Sequence, residues 1–504
     1  MRSNILRKFI SLTMATLLVC PFALSLGVKS VKAEEQVLTV FSVEDYIHEA
    51  EDDSELGVLD MFKEQTGITV DYQTFATNED MYNELVKDPY AVDLICPSEY
   101  MIMKMMTEDL IRSFETPENF KVNGSPYIKE VFKGLEVETS NGKIPLMSSD
   151  ENTCYAVGYM WGTLGLIYNT ETVDAKDLTS WTDIWTKFTK KVTIKDSIRD
   201  SYFMALAYVY QDELLKAKAD FEQGKLGEKE YNDKISTIFN RTDADSVYKV
   251  GEALLGLKNN LYGFEVDSGK NDILTGKIDV NVAWSGDAVY SIDEALFDEN
   301  GDKKADAMYL GYAVPEEGAN VWFDGYVMTK NANYDNAIKF LDFIASPEIA
   351  VLNMDYTGYT SCIGGAEVLE YVKESYHSED GVKEYDLSYF FDPTHTGDDY
   401  KINVEEDYVL LFEAQYPTKE IITRCAVMQN FSGEDLERVN EMWKKVKLIT
   451  LSKTAIITIL SITAFIILCY FAYEFREPVG EFLEEKLPKR KKKKKYKIVK
   501  IERI

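Results

Sequence analysis

Short β-rich segments alternate with amphipathic helices near the start of the chain, and this alternation constrains the fold more than any other feature. Residues 37–42 predict a strand, residues 56–66 a helix and residues 68–72 a second strand. A third strand is predicted at residues 92–96, before a helix at residues 101–110. Strands and helices that alternate in this way form mostly parallel sheets, whose ligands bind at the carboxyl ends of the strands. The sequence therefore predicts an α/β fold.

A second α/β region follows a long apolar segment. Residues 155–169 are mostly apolar and contain three glycines, as a strand that crosses between two lobes would. Beyond them, residues 192–194 and 278–284 predict strands, and the charged residues 211–260 predict helices. Residues 373–411 are acidic and irregular, which predicts a surface insertion. At 504 residues the chain is long enough for two lobes.

The two ends of the chain have the composition of targeting segments. Residues 1–33 place basic residues before an apolar run and end in a small residue, which predicts a signal peptide and export. Residues 454–473 are uncharged and span the roughly 30 Å of bilayer hydrocarbon if helical, so we expect a transmembrane helix within residues 449–475. The basic tail, residues 476–504, is then cytoplasmic, and residues 34–448 form an extracellular domain.

The formal charge of the chain is distributed unevenly. The net charge of the chain is −31, to which residues 1–33 contribute +5 and residues 476–504 contribute +7. Residues 34–448 therefore carry a net charge of −43. So negative a domain excludes nucleic acid as a partner and attracts small cations. We interpret the lysine run in the tail as a stop-transfer signal.

One short motif, Val-Trp-Phe-Asp-Gly at residues 321–325, combines a ring and an acid. Trp322 and Asp324 are two residues apart, so in an extended segment their side chains leave the same face of the backbone. An indole attracts a cation and covers its methylene groups, while a carboxylate accepts charge-assisted hydrogen bonds. The pair is therefore a candidate site for an alkyl-ammonium group, and a core Trp beside a turn Asp is the alternative.

Few residues are arranged for catalysis or metal binding. The three histidines have no nucleophile or metal spacing, and neither a glycine-rich phosphate loop nor a G-x-S-x-G motif occurs, so the sequence disfavours an enzyme and predicts no cofactor. Residues 298–302 resemble a calcium loop but lack its glycine and its final acid, so we expect an acidic surface turn and no metal site. Four cysteines of the exported part are compatible with either two disulfides or free thiols. They are Cys96, Cys154, Cys362 and Cys425.

Several stretches match the spermidine/putrescine-binding type of bacterial extracellular solute-binding protein in order and spacing. They are residues 77–82 with 90–100, residues 159–169 with 180–185, residues 282–287, residues 321–324 with 357–359, and residues 429–447 as a terminal helix. The chain thus resembles this family over about residues 37–447.

The resemblance implies a fold and a location for the ligand. The fold is α/β, two-lobed and similar to periplasmic binding proteins of type II, with the ligand in the interlobe cleft and, in this chain, one added C-terminal transmembrane helix. The expected lobe 1 comprises about residues 37–161 and 323–365, and the expected lobe 2 about residues 162–322 and 366–447.

The resemblance also implies a set of ligand-binding residues, in which rings enclose the methylene chain of a polyamine and acids hold its amines. The rings are Tyr46, Tyr100, Trp284, Trp322 and Tyr359. The acids are Asp324 for an interior amine, with Asp200 and Asp45 toward one end, and Ser98 and Gln429 add polar contacts. Two positions depart from the family pattern, because Val43 stands where a Trp is frequent and Ser197 stands where an acid is found. These departures affect the preferred ligand length.

The leading hypothesis is a membrane-anchored polyamine receptor that delivers its ligand to the permease of an ABC importer. The same fold with another ligand, such as a different amine or a cationic amino-acid derivative, is the second hypothesis, which Val43 and Ser197 leave open. An enzyme is the third. An adhesin would fit the topology, but it would not require this set of rings and acids.

Overall fold

The computed structural model describes residues 36–50, 55–298, 300–395, 397–431, 433–448 and 453–474. The strands are β1 Gln36–Val43, β2 Ile68–Phe75, β3 Leu94–Ile95, β4 Ile111–Arg112, β5 Phe114–Glu115, β6 Glu136–Thr139, β7 Gly142–Pro145, β8 Thr153–Cys154, β9 Ala156–Asn169, β10 Val192–Lys195, β11 Gly263–Glu265, β12 Val280–Trp284, β13 Leu310–Ala313, β14 Val321–Thr329, β15 Thr360–Ser361, β16 Lys383–Asp386 and β17 Lys401–Val404. The helices are α1 Val58–Thr66, α2 Asn78–Lys87, α3 Glu99–Thr107, α4 Glu118–Asn123, α5 Pro126–Gly134, α6 Thr182–Thr186, α7 Ile198–Val209, α8 Gln211–Glu222, α9 Glu228–Phe239, α10 Ala244–Lys258, α11 Gly269–Leu274, α12 Ser285–Leu296, α13 Tyr334–Ile344, α14 Pro347–Thr357, α15 Ala366–Tyr376, α16 Ser388–Phe391, α17 Val409–Gln415, α18 Lys419–Thr423, α19 Gly433–Lys447 and α20 Lys453–Glu474.

The main sheet has the strand order β11-β10-β12-β9-β14-β3-β1-β2. At one end β1 pairs in parallel with β2 and β3, and at the other β10 pairs in parallel with β11 and β12. The two long strands between these parallel blocks, β9 and β14, are antiparallel to each other. The predicted α/β class is confirmed.

Strand β9 connects the two parallel blocks. Every residue of β9 is buried, and its first half pairs with β14 and β15 while its second half pairs with β12 and β13. A strand that is covered on both faces must be apolar throughout, which explains why this segment does not alternate in polarity. The prediction that residues 155–169 cross between two halves of the fold is confirmed.

Several helix boundaries follow from capping residues that the sequence already contains. Helix α1 ends at Gly67, whose φ of 73° lies in the left-handed region, and its N–H donates to the carbonyl of Lys63. Helix α2 begins after Thr77, whose side chain accepts a hydrogen bond from the backbone N–H of Asp80. The predicted strand at residues 92–96 is shorter than expected, since only Leu94–Ile95 pair as β3.

The prediction of an irregular insertion at residues 373–411 is wrong. Strands β16 and β17 form an antiparallel pair in this region, helix α16 lies in the connection between them, and helix α17 follows β17. Tyr385, Phe390, Ile402 and Val404 are buried. The many acids of this stretch are surface residues, and the apolar residues between them are widely spaced, so the composition hides a small core.

The four cysteines of the predicted exported part, Cys96, Cys154, Cys362 and Cys425, are buried free thiols. The segment that resembles a calcium loop contains a turn, in which the carboxylate of Asp298 accepts hydrogen bonds from the backbone N–H groups of Asn300 and Asp302. Over the described residues, no group of three or more His, Cys, Asp or Glu side chains is arranged to hold a metal ion.

The chain divides into two compact units, residues 1–446 and residues 447–504, and helix α20 belongs to the second. In the part of the chain that the structure describes, no helix reaches the length and apolarity needed to cross a membrane. The predicted signal peptide at residues 1–33 and the predicted cytoplasmic tail at residues 476–504 lie outside the described residues.

Candidate functional site

Three of the predicted ring residues form one cluster beside β14. The ring of Tyr359 lies 5.5 Å from that of Trp322 and 5.7 Å from that of Tyr46, both in edge-to-face geometry. Tyr159 on β9 extends the cluster, with its ring 5.2 Å from that of Tyr46. Glycine is required at position 162, because a Cβ there would lie 2.3 Å from Ser285 Oγ and 2.7 Å from the Trp322 ring. The cluster is therefore tightly packed against the crossing strand.

Asp324 lies opposite an irregularity in the pairing of β14 with β9. Phe323 pairs with Trp161 and Gly325 with Gly158, so the extra residue is on β9, and Asp324 instead forms an isolated bridge with Ser98. The Tyr46 hydroxyl donates a hydrogen bond of 2.6 Å to Asp324 Oδ2. The carboxylate therefore contacts the ring cluster.

Asp324 carries its charge in an unfavourable environment. Only 9% of the residue is exposed. Burial raises the pKa of Asp324 to about 6, although hydrogen bonds from Tyr46 and Ser98 act in the opposite direction. Over the described residues, it forms no ion pair with a Lys or Arg side chain. The site therefore contains a buried acid without an ion-pair partner in the part of the chain that the structure describes.

A second buried acid, Glu99, lies next to this position and was missed at the level of sequence. It is the first residue of α3 and follows Ser98 directly, and it is 1% exposed. Burial and the charge of Asp324 raise the pKa of Glu99 well above its ordinary value. The signal that could have found it is its place in the loop after β3, where strand-end residues of an α/β sheet collect.

Trp284 and Asp200 form a second part of the site, at the carboxyl end of β12. Trp284 Nε1 donates a hydrogen bond of 3.3 Å to Asp200 Oδ1. The Lys195 ammonium lies 4.2 Å from the centre of the Trp284 ring. Burial raises the pKa of Asp200, while hydrogen bonds from Ser197 and Trp284 counteract this. The Lys195 ammonium therefore already contacts one face of Trp284, a ring that is predicted to bind the ligand.

An ionic group of three buried side chains supports this second part. Lys195 Nζ lies 2.9 Å from Asp287 Oδ2 and 3.1 Å from Glu265 Oε1, and none of the three side chains is more than 5% exposed. Burial would lower the pKa of Lys195, but the two carboxylates raise it above its ordinary value. The Tyr359 hydroxyl donates to Asp287 Oδ1 at 3.0 Å, which connects this group to the ring cluster. Sequence reasoning missed Lys195 and Asp287, although Lys195 ends β10 and Asp287 lies in the first turn of α12, directly after β12.

Tyr100 contacts a cation of the chain as well. The Arg199 guanidinium lies 4.8 Å from the Tyr100 ring and 3.6 Å from the Phe431 ring, and it donates to the backbone carbonyl of Gln429. The Tyr100 hydroxyl donates to Glu79 Oε1 at 3.1 Å. This ring therefore belongs to the same region as Asp200, the neighbour of Arg199 on α7.

Two predicted residues lie away from the ring cluster. Gln429 is exposed, and its Nε2 donates to Ser236 Oγ at 3.4 Å. Asp45 is exposed too, with a φ of 53° in the turn that precedes Tyr46. Of the two departures from the family pattern, Val43 is exposed, and Ser197 caps α7 by accepting a hydrogen bond from the backbone N–H of Asp200.

Residues 57–376 match the family model described as bacterial extracellular solute-binding protein. The spermidine/putrescine-binding periplasmic protein of Salmonella typhimurium is 27% identical over 307 residues, which are 60% of this chain and 73% of that protein. The protein of the same name from Escherichia coli K12 is 26% identical over 342 residues, or 67% and 81% of the two chains.

Solved structures share the fold. The spermidine/putrescine ABC transporter substrate-binding protein PotD from Streptococcus pneumoniae superimposes with a TM-score of 0.53 at 23% identity, over 82% of this chain and 98% of that one. This similarity confirms the two-lobed fold of periplasmic binding proteins, with β9 and β14 between the parallel blocks. Since the family model covers well over half of the chain, the protein belongs to the bacterial extracellular solute-binding proteins.

Proposed function

We propose that this protein binds a polyamine of the spermidine/putrescine class in the site formed by Asp324 and its neighbouring rings. The observation that carries the proposal is that Asp324 is a buried carboxylate with a tyrosine donor and two neighbouring rings, and it forms no ion pair with a cation among the described residues. A buried carboxylate is stabilised by a positively charged partner, and methylene groups gain free energy when rings cover them. A linear polyamine supplies both groups in one molecule.

The relatives named for spermidine and putrescine support the same ligand class and a role in ABC import. We infer that the ligand is handed to a permease and that hinge closure of the two lobes precedes this step. The composition of residues 1–33 supports export, and the apolar residues 454–473 with the basic tail support a C-terminal membrane anchor with the binding domain outside. Recovery of the chain in salt-washed membranes tests the anchor.

A different amine remains the second candidate, because two of the predicted rings already face cations of the chain. Lys195 lies over Trp284 and Arg199 over Tyr100. Each occupies a ring face that a long polyamine would otherwise contact, which favours a shorter amine or one with an anionic end. Val43 is exposed and stands where a Trp is frequent in the family, so it offers no ring to a long polyamine. This position therefore also favours a shorter amine or one with an anionic end.

Calorimetry of the full chain in mild detergent tests the proposal. Titration with putrescine, spermidine and spermine at 0.15 M salt is expected to give micromolar or tighter binding for at least one of them. Magnesium chloride serves as the control for unspecific attraction to a negatively charged domain, since salt screens exposed charges. If none of the three polyamines produces heat, the second candidate replaces the first.

The pKa of about 6 for Asp324 gives the binding a definite pH dependence. An ammonium ligand requires the carboxylate, and the ligand itself keeps its charge, because alkyl amines titrate near pH 10. Below pH 6 the ligand competes with a proton, so we expect the affinity to fall by up to about tenfold per pH unit there and to stay nearly constant from pH 7 to 8. Equal affinities at pH 5 and pH 7 would show that Asp324 is not the amine acceptor.

A further inference from the structure

Among the described residues, Glu99, Asn320 and Trp322 carry buried polar atoms without a hydrogen-bond partner. These atoms are Glu99 Oε2, Asn320 Oδ1 and Trp322 Nε1. Burying a polar atom without a partner is costly, so three of them in one neighbourhood require an explanation. Such atoms are satisfied in folded proteins by ordered water or by a ligand.

The three residues are neighbours of Asp324. Asn320, Trp322 and Asp324 follow one another at intervals of two along the chain that enters β14, which places them along one side of an extended segment. Asn320 Nδ2 donates a long hydrogen bond of 3.4 Å to Glu99 Oε1. Ser98, which precedes Glu99, is bridged to Asp324 through the backbone. Glu99 therefore lies alongside the segment from Asn320 to Asp324.

Glu99 forms no ion pair with a Lys or Arg side chain among the described residues. Asp324 on β14 and Asp200 on α7 both act on Glu99 with the same sign of charge. Arg199 on α7 has the opposite sign and attracts Glu99, but its guanidinium stacks on Tyr100 and Phe431. Glu99 is at the N-terminus of α3, where the helix dipole favours a negative charge. An exposed acid would interact with the helix dipole as well, so this interaction does not explain why Glu99 is buried.

We propose that Glu99, with Asn320, forms a second amine-binding position next to Asp324 that takes one protonated nitrogen of the ligand. The inference rests on the proposed function, and it specifies which part of the site holds a second charge. An ammonium group has three N–H donors, and Glu99 Oε2 and Asn320 Oδ1 are two acceptors that lack a donor. The ligand class is therefore an amine with at least two charged nitrogens separated by a short methylene chain.

The test compares Glu99→Gln with the wild type in the full chain, by calorimetry with putrescine and spermidine and by thermal unfolding. The variant is isosteric and removes a buried ionisable group whose charged form is disfavoured by burial. We therefore expect the affinity to fall ten- to a hundredfold while the unfolding midpoint of the protein without added polyamine stays equal or rises. A structural acid at a helix start would behave in the opposite way, with a lower midpoint and an unchanged affinity.

Glu228→Gln is the matched control, because Glu228 is also the first residue of a helix, α9, but is exposed. Its affinity should equal that of the wild type. Asn320→Ala gives a second route to the same position and should weaken binding as well, since it removes one of the two acceptors. If the wild type binds a polyamine and Glu99→Gln binds it equally well, the second amine position is overturned and the proposed function stands. If the wild type binds no polyamine, both are overturned.

Discussion

Replacing Asp324 with Asn is expected to weaken polyamine binding by about 2–5 kcal/mol, or roughly 30- to 5000-fold. The substitution keeps the size of the side chain and an acceptor for the Tyr46 hydroxyl, which now lies 2.6 Å from Oδ2. The charge is lost, however, and a buried ammonium would then have no counter-ion at this position. Calorimetry with the tightest-binding polyamine at pH 7.5 measures the loss.

The chain offers a matched control for this substitution. Asp355 also accepts a hydrogen bond from a tyrosine, with Tyr371 as the donor at 2.9 Å, and it lies outside the ring cluster. Asp355→Asn should leave the affinity unchanged. The loss of affinity below pH 6 should become smaller in Asp324→Asn and stay unchanged in Asp355→Asn. An Asp324→Asn protein with wild-type affinity would remove this residue from the binding site.

Replacing Lys195 with Met is expected to lower the free energy of unfolding by about 3–5 kcal/mol. Lys195 is the cation shared by the buried carboxylates of Asp287 and Glu265, at 2.9 and 3.1 Å. Met has a similar length but no charge, so two buried carboxylates would be left without a full counter-ion. Denaturant unfolding of the full chain in detergent, followed by tryptophan fluorescence, measures the change.

Two comparisons separate this effect from a general loss of lysine. Lys229 and Asp233 form an ion pair of 3.0 Å in which the side chains are 87% and 68% exposed, so Lys229→Met should change the stability by less than about 1 kcal/mol. Adding Asp287→Asn and Glu265→Gln to Lys195→Met should recover part of the loss, because the three charges are then removed together. A loss below about 1 kcal/mol for Lys195→Met would contradict the buried ionic group.

The class of fold could be predicted from the sequence because it depends on local patterns. Alternation of strands and helices predicted the boundaries of β1, α1 and β2 to within three residues, and the apolar residues 155–169 predicted β9. The prediction failed at residues 373–411, where an antiparallel strand pair lies within an acidic stretch. The amino-acid composition of such a segment is dominated by its surface residues, so it does not predict the small core.

The candidate site could be predicted only in part. The motif of Trp322 and Asp324, together with the family resemblance, placed Tyr46 and Tyr359 in one group, and these side chains are in contact. Lys195, Arg199 and Glu99 were not found in this way, because a charged residue looks the same in a sequence whether it is solvated or buried. Glu99, for example, is buried where α3 packs against β14, and these two elements are far apart in the chain.

The sequence by itself determined the α/β class, the crossing strand and the order of the motifs, since each depends on residues that are close along the chain. The tertiary structure decided which charges form ion pairs. Lys195 pairs with Asp287 and Glu265, whereas Asp324 and Glu99 form no ion pair with a Lys or Arg among the described residues. The physical reason is that an electrostatic interaction depends on distance and burial, and neither is written in the spacing of residues. The affinity for a cation that we propose for this site therefore depends on packing, whereas the sequence motif supplies only the side chains.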